Sequence, residues 1–198
     1  MKTKYYYSEL PEGYEEVYSI DAKNKKTITI FNLIAIFIMI AVIVPVIIYA
    51  HNYFDETENL FEMLLPIILV LPSMFAYIVL HELTHGLFYK IFTHEKLTFG
   101  MTLTVAYCGV PNLYVKKWPM FITQIAPFVI FNFIFGIPLF LIKSYMFIIL
   151  FGFLFAMHVS GCIGDIIGAL LIIFKFKGKD YLINDTGPKQ TYYKKISE

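Results

Sequence analysis

Four long apolar runs, each bounded by polar or charged segments, dominate the chain; they cover residues 27–50, 63–88, 120–142 and 145–174. About 20 residues of helix, rising 1.5 Å each, cross a hydrocarbon core of about 30 Å, so each run predicts a transmembrane helix. The first, TITIFNLIAIFIMIAVIVPVIIYA, holds no Asp, Glu, His, Lys or Arg. It is too long for a signal-peptide core, which makes a retained anchor the expectation. Between the second and third runs, residues 97–115 (LTFGMTLTVAYCGVPNLYV) are rich in Thr, Val, Leu and Tyr, with a turn signal at Gly109–Asn112. That pattern predicts a β-hairpin. The expected fold class is thus an all-α polytopic membrane protein. It has four transmembrane helices, with a small cytoplasmic or re-entrant β-hairpin between helices 2 and 3. The expectation is a single membrane-embedded domain over residues 1–198, with cytoplasmic tails at 1–26 and 175–198.

Composition agrees with the pattern. Of 198 residues, 58% are hydrophobic and 16% charged, against about 25% charged in soluble domains. Intrinsic disorder, which needs low hydrophobicity and high net charge, is excluded. The net charge is +1 and every basic residue is Lys, so nucleic acid is not an expected partner. Two cysteines, Cys108 and Cys162, make no disulfide framework.

Lysine placement orients the spans. The N-terminal tail holds Lys2, Lys4, Lys23, Lys25 and Lys26. The loop after the first span holds none and carries Asp55, Glu56, Glu58 and Glu62. The loop after the second has Lys90, Lys96, Lys116 and Lys117, and the C-terminal tail has six more. A multi-pass protein of the cell membrane with both termini cytoplasmic follows, in contact with membrane lipid. The oligomeric state is not legible.

Inside the spans the Asp, Glu, His and Lys types are represented only by His81, Glu82, His85, His158 and Asp165. Ionisable groups are costly in a bilayer and usually mark function. His81-Glu82-Leu83-Thr84-His85 is an H-E-x-x-H motif; on a helix the two imidazoles share a face and meet one cation. Glu82, one residue along, is positioned as a general base acting on water. A catalytic zinc site usually takes three protein ligands. Asp165 is the only acidic residue in the other spans and lies at a similar depth, about 14 Å from the cytoplasmic end. The expected metal ligands are therefore His81, His85 and Asp165, with Zn2+ as cofactor. His158, on nearly the same helical face as Asp165, is a candidate to orient it, to stabilise an oxyanion or to act as an alternative ligand. A structural, hydrogen-bonded histidine is the competing reading. Asn132 is a second candidate oxyanion donor, with helix packing as its alternative. Ser160, Gly164 and Gly168 follow the small-xxx-small spacing of close helix packing.

With these residues in hand, the chain resembles the membrane zincin peptidase family known as domain of unknown function 3267. The resemblance rests on Leu10-Pro11-Glu12-Gly13-Tyr14 with Asp21, the HELTHG segment at His81–Gly86, the middle-loop tyrosine and Pro127 region, and Gly164-Asp165. More distantly it is similar to site-2 intramembrane metalloproteases, with a membrane-embedded H-E-x-x-H and a distal Asp. It departs from them where Asp165 sits in Ile163-Gly164-Asp165-Ile166. The resemblance implies zinc on His81, His85 and Asp165, and Glu82 as base. The expected function is a zinc-dependent peptidase acting on a protein or peptide substrate, including a transmembrane segment, from a cytoplasm-facing site. The rival classes are a non-catalytic metal-binding scaffold or regulator and, behind it, a small metal or proton transporter.

Overall fold

A computed structural model describes residues 4–54, 60–101 and 106–196. Lys2, Asp55, Glu56 and Glu58, used above to orient the spans, and residues 102–105 of the expected hairpin lie outside the described residues. In chain order the elements are β1 (Tyr6–Tyr7), β2 (Tyr14–Asp21), α1 (Lys25–His51), α2 (Leu60–Thr93), β3 (Thr98–Met101), β4 (Ala106–Gly109), β5 (Tyr114–Lys116), α3 (Lys117–Leu141), α4 (Tyr145–Gly161), α5 (Ile163–Leu170), a π-helical turn (Leu171–Lys175), β6 (Tyr181–Asp185) and β7 (Lys189–Lys195).

Three helices are long and apolar enough to cross a membrane: Lys25–His51, Met63–Thr93 and Lys117–Leu141. A fourth span exists only if Tyr145–Gly161 and Ile163–Lys175, bent at the break between them, count as one. Asn24 starts α1 by accepting the backbone N–H of Lys26 at 2.9 Å and of Thr27 at 3.3 Å, the ordinary work of an N-cap. Pro66 and Pro72 fall in the first half of α2, so the half that carries the histidines has none of the hydrogen-bond gaps that proline makes.

The all-α class does not survive. Five strands form one antiparallel sheet in the order β1-β5-β6-β7-β2, and β3 and β4 form a separate two-stranded sheet. Both regions expected as tails are strands: β2 pairs with β7 from Tyr14↔Lys195 to Asp21↔Lys189. The physical reason is that these strands are half-polar and short. Hydropathy windows pass over them, and their stability comes from cross-strand partners distant in sequence, such as Glu15 opposite Lys194. The segment at 97–115 does hold a ladder, from Thr98↔Gly109 to Met101↔Ala106, but its turn is not at Gly109–Asn112. That turn instead connects β4 to β5 in the other sheet. It is held there by Asn184, whose Nδ2 donates to the carbonyls of Pro111 at 2.8 Å and Leu113 at 2.9 Å.

The chain divides into two compact units. The first comprises Met1–Ile30, Leu80–Pro127 and Asp165–Glu198; the second comprises Phe31–Val79 and Phe128–Gly164. The first unit contains both sheets and a core that includes Tyr6, Tyr89, Val115, Met120, Ile172, Phe176, Ile183 and Tyr192. The second is helical, with one core around Tyr77, Phe131, Phe135, Leu150 and Leu154 and another around Ala50, Leu139 and Ile148. The long apolar faces point outward. Along α1 only Ala50 is buried, while Leu33, Phe37 and Ile48 are exposed. Along the later turns of α2, Leu80, Leu83, Leu87 and Ile91 are exposed while His81, His85, Tyr89 and Thr93 are buried. The polar side of α2 is inside and the leucine side outside, the reverse of a helix in water.

Candidate metal centre

The buried stripe of α2 repeats every four residues, His81, His85 and Tyr89, which is why one helical face collects them. On α5, Asp165 stands in the first turn, and its side chain is 25% exposed. The three expected ligands meet within the first unit. His81 Nε2 lies 3.3 Å from Asp165 Oδ2, His85 Nε2 lies 3.4 Å from Asp165 Oδ1, and the two Nε2 atoms are 3.2 Å apart. Ligand atoms 2.0–2.1 Å from a tetrahedral zinc stand about 3.3–3.4 Å from one another. The donor set and its spacing therefore fit that ion, and three protein ligands leave the fourth position open.

The tautomer fits as well. His85 Nδ1 lies 2.9 Å from the carbonyl oxygen of Thr123 on α3. A carbonyl only accepts, so Nδ1 carries the hydrogen and neutral His85 presents the Nε2 lone pair to the centre. Thr123 is itself held by its hydroxyl, which donates to the Pro119 carbonyl at 2.9 Å. Glu82, on the same helix between the two histidines, is partly buried.

Sequence reasoning missed several residues around this centre. Tyr89, one turn beyond His85, donates its hydroxyl to Asp185 on β6. Asp185 also accepts the Gly187 N–H at 2.8 Å, and its carbonyl accepts the Val110 N–H at 2.8 Å. Burial pushes the Asp185 carboxyl up to about 6. Burial, with the carboxylates of Glu82 and Asp185 adding to it, pushes the Cys108 thiol of β4 up to about 12, so Cys108 stays a thiol rather than a reactive thiolate. The β3–β4 ladder lies against α2 directly after the motif: a Cβ at Gly86 would stand 2.9 Å from Phe99 and 3.1 Å from Leu97. Gln124 is 4% exposed, and its Oε1 is the buried side-chain nitrogen or oxygen without a hydrogen-bond partner among the described residues. Such an orphan costs about 1–3 kcal/mol. Asp185 had no signal short of knowing that residues 181–195 form a hairpin. Gln124 was a polar residue inside an apolar run and was visible as such.

The other two sequence candidates belong to the second unit. His158 Nε2 donates to the Phe128 carbonyl at 3.2 Å, so its Nδ1 is an acceptor, 3.0 Å from the Tyr77 hydroxyl. Asn132 Nδ2 donates to the same Phe128 carbonyl at 2.7 Å, the i−4 back-bond common in apolar helices. Within this unit both side chains are engaged in helix packing.

A helix carrying His-Glu-x-x-His, with a carboxylate brought to it from a later helix, is the arrangement of a zincin. The model of the family described as "Putative zincin peptidase", DUF3267, matches residues 74–179. The chain belongs to that family. No curated protein and no solved structure matches it.

Proposed function

We propose that this chain is a zinc-dependent, membrane-embedded peptidase. It hydrolyses peptide bonds of membrane or membrane-proximal proteins at a site open to the cytoplasm. The observation that carries the reading is the convergence of His81 Nε2, His85 Nε2 and the Asp165 carboxylate at 3.2–3.4 Å, beside Glu82 on the same helix. His81, His85 and Asp165 hold the zinc ion. When bound, zinc acidifies water and polarises a carbonyl. Glu82 removes a proton from the attacking water as its oxygen bonds to the scissile carbonyl carbon. The same carboxyl returns that proton to the amine nitrogen as the C–N bond breaks. The Thr123 carbonyl keeps His85 in the ligating tautomer throughout.

The outward leucine and isoleucine stripe of α2 supports burial in lipid, and the excess of lysine in both terminal segments and the middle loop supports a cytoplasmic site. The β2–β7 pairing supports placing both termini on one side. A helical substrate hides its peptide bonds, so the scissile segment must be extended. The β3–β4 ladder, packed on α2 at Gly86, offers an edge for such a segment to join as a strand. The test is cleavage of unfolded and membrane-inserted polypeptides by the full chain in detergent or liposomes. Turnover should require zinc and fall by about 10²–10⁴ in Glu82→Gln, the usual contribution of a general base. Metal binding without any Glu82-dependent turnover would instead identify a metal-holding scaffold.

A further inference from the structure

We infer that Gln124 and Gly168 form a matched contact that sets the distance between the two ligand-bearing helices. This rests on reading His81, His85 and Asp165 as a metal centre. Helix α3 supplies none of those three ligands, yet adjacent residues of it touch both helices that do. The Thr123 carbonyl accepts from His85 on α2 at 2.9 Å. The Gln124 side chain lies against Gly168 on α5, one turn after Asp165. A methyl group added at Gly168 would overlap the Gln124 amide and stand 3.0 Å from Gln190 Oε1 on β7. Neither neighbour has an easy exit. Gln124 is 4% exposed, and Gln190 Oε1 accepts the hydroxyl of buried Tyr192. Helix α5 therefore approaches α3 until its bare backbone meets Gln124, and that stop fixes where Asp165 presents its carboxylate to His81 and His85. Gln124 and Gly168 are positioning residues: they act through Asp165 and Thr123.

A change at the ligand spacing weakens the metal and leaves the donor atoms in place, so metal affinity reads the effect without any substrate. Cobalt(II) is the probe; its visible bands report tetrahedral ligation and its affinity is measured by competition with a chelator. In the full-length detergent-solubilised chain, Gly168→Ala should bind cobalt at least about tenfold more weakly, with altered bands, as losses outside the ligands typically do. Removing the opposing side chain should restore the contact: Gly168→Ala with Gln124→Ala should recover affinity to within about threefold of the parent, because the effect is one of shared volume. Gly164→Ala, whose methyl would meet only Phe31 at 3.9 Å, should bind as the parent does. Unchanged affinity in Gly168→Ala overturns the inference, as does a double variant that stays weak or fails to fold. So does an equal loss in Gly164→Ala, which would show that α5 tolerates no added side chain near Asp165. Should Gly168→Ala alone fail to fold, a folded double variant of parental affinity supports the inference on its own. A parent chain that binds no cobalt would overturn the metal-centre reading, and this inference with it, whereas a parent that binds cobalt without rescue in the double variant overturns this inference alone.

Discussion

Two buried histidines, one in each unit, are bonded in opposite ways. His85 gives its Nδ1 hydrogen to the Thr123 carbonyl and turns Nε2 toward His81 and Asp165. His158 gives its Nε2 hydrogen to the Phe128 carbonyl and takes the Tyr77 hydroxyl on Nδ1, with its ring among Phe128, Phe131 and Phe135. Both satisfy the demand that a buried polar group find partners. In the first the remaining nitrogen converges with a second imidazole and a carboxylate, a donor set that suits a cation. In the second a hydroxyl donor answers the lone pair. An ionisable residue in an apolar helix marks a site only when its partners leave an electron pair for a ligand, and the partner, more than the residue, carries that information.

The largest expected effect breaks the contrast from the side of His85. His85→Ala should weaken cobalt binding by more than about 100-fold, since losses in the surrounding shell alone reach 10–100-fold; chelator competition measures it. From the other side, His158→Leu should bind cobalt within about threefold of the parent. It should lose about 1–3 kcal/mol of stability, because it removes the buried hydrogen bonds to the Tyr77 hydroxyl and the Phe128 carbonyl, read as a lower unfolding midpoint in detergent. A His158→Leu chain that loses cobalt as His85→Ala does would dissolve the distinction. The smallest effect concerns Asp185. Its carboxyl is raised to about 6 by burial, above the usual value of about 4. Between those two values the folded chain keeps a proton that the unfolded chain has released. This group's stabilising contribution is therefore full below about pH 4, declines as pH rises toward 6, and is flat above. Unfolding midpoints across pH 4–8 should show a shallower fall in Asp185→Asn than in the parent.

The convergence of His81, His85 and Asp165 was largely legible because charge is scarce in the apolar runs. With so few ionisable groups in the spans, H-E-x-x-H and Asp165 stood out, and helical periodicity did the rest. What His158 and Asn132 bond to was not legible, because chain position does not reveal a hydroxyl such as Tyr77 or a carbonyl such as Phe128 waiting as a partner. The sheet was illegible for a different reason. Tyr14–Asp21 buries no side chain fully and Lys189–Lys195 buries Thr191 and Tyr192; both alternate weakly, and they exist because each finds the other. Hydropathy records how a segment meets solvent or lipid and has no means of recording a partner at the far end of the chain.

That pairing has a consequence for how the protein comes into being. Strand β2 is made about 170 residues before β7, its partner from Tyr14↔Lys195 onward. Synthesis runs at about 5–20 residues per second, so β2 waits about ten seconds to half a minute as an unpaired edge while every helix is made. The motif on α2 is likewise complete well before Asp185 arrives to receive Tyr89. Closure of the first unit thus waits for β6 and β7, and until they are made the histidine pair stands on a helix whose scaffold has not been delivered.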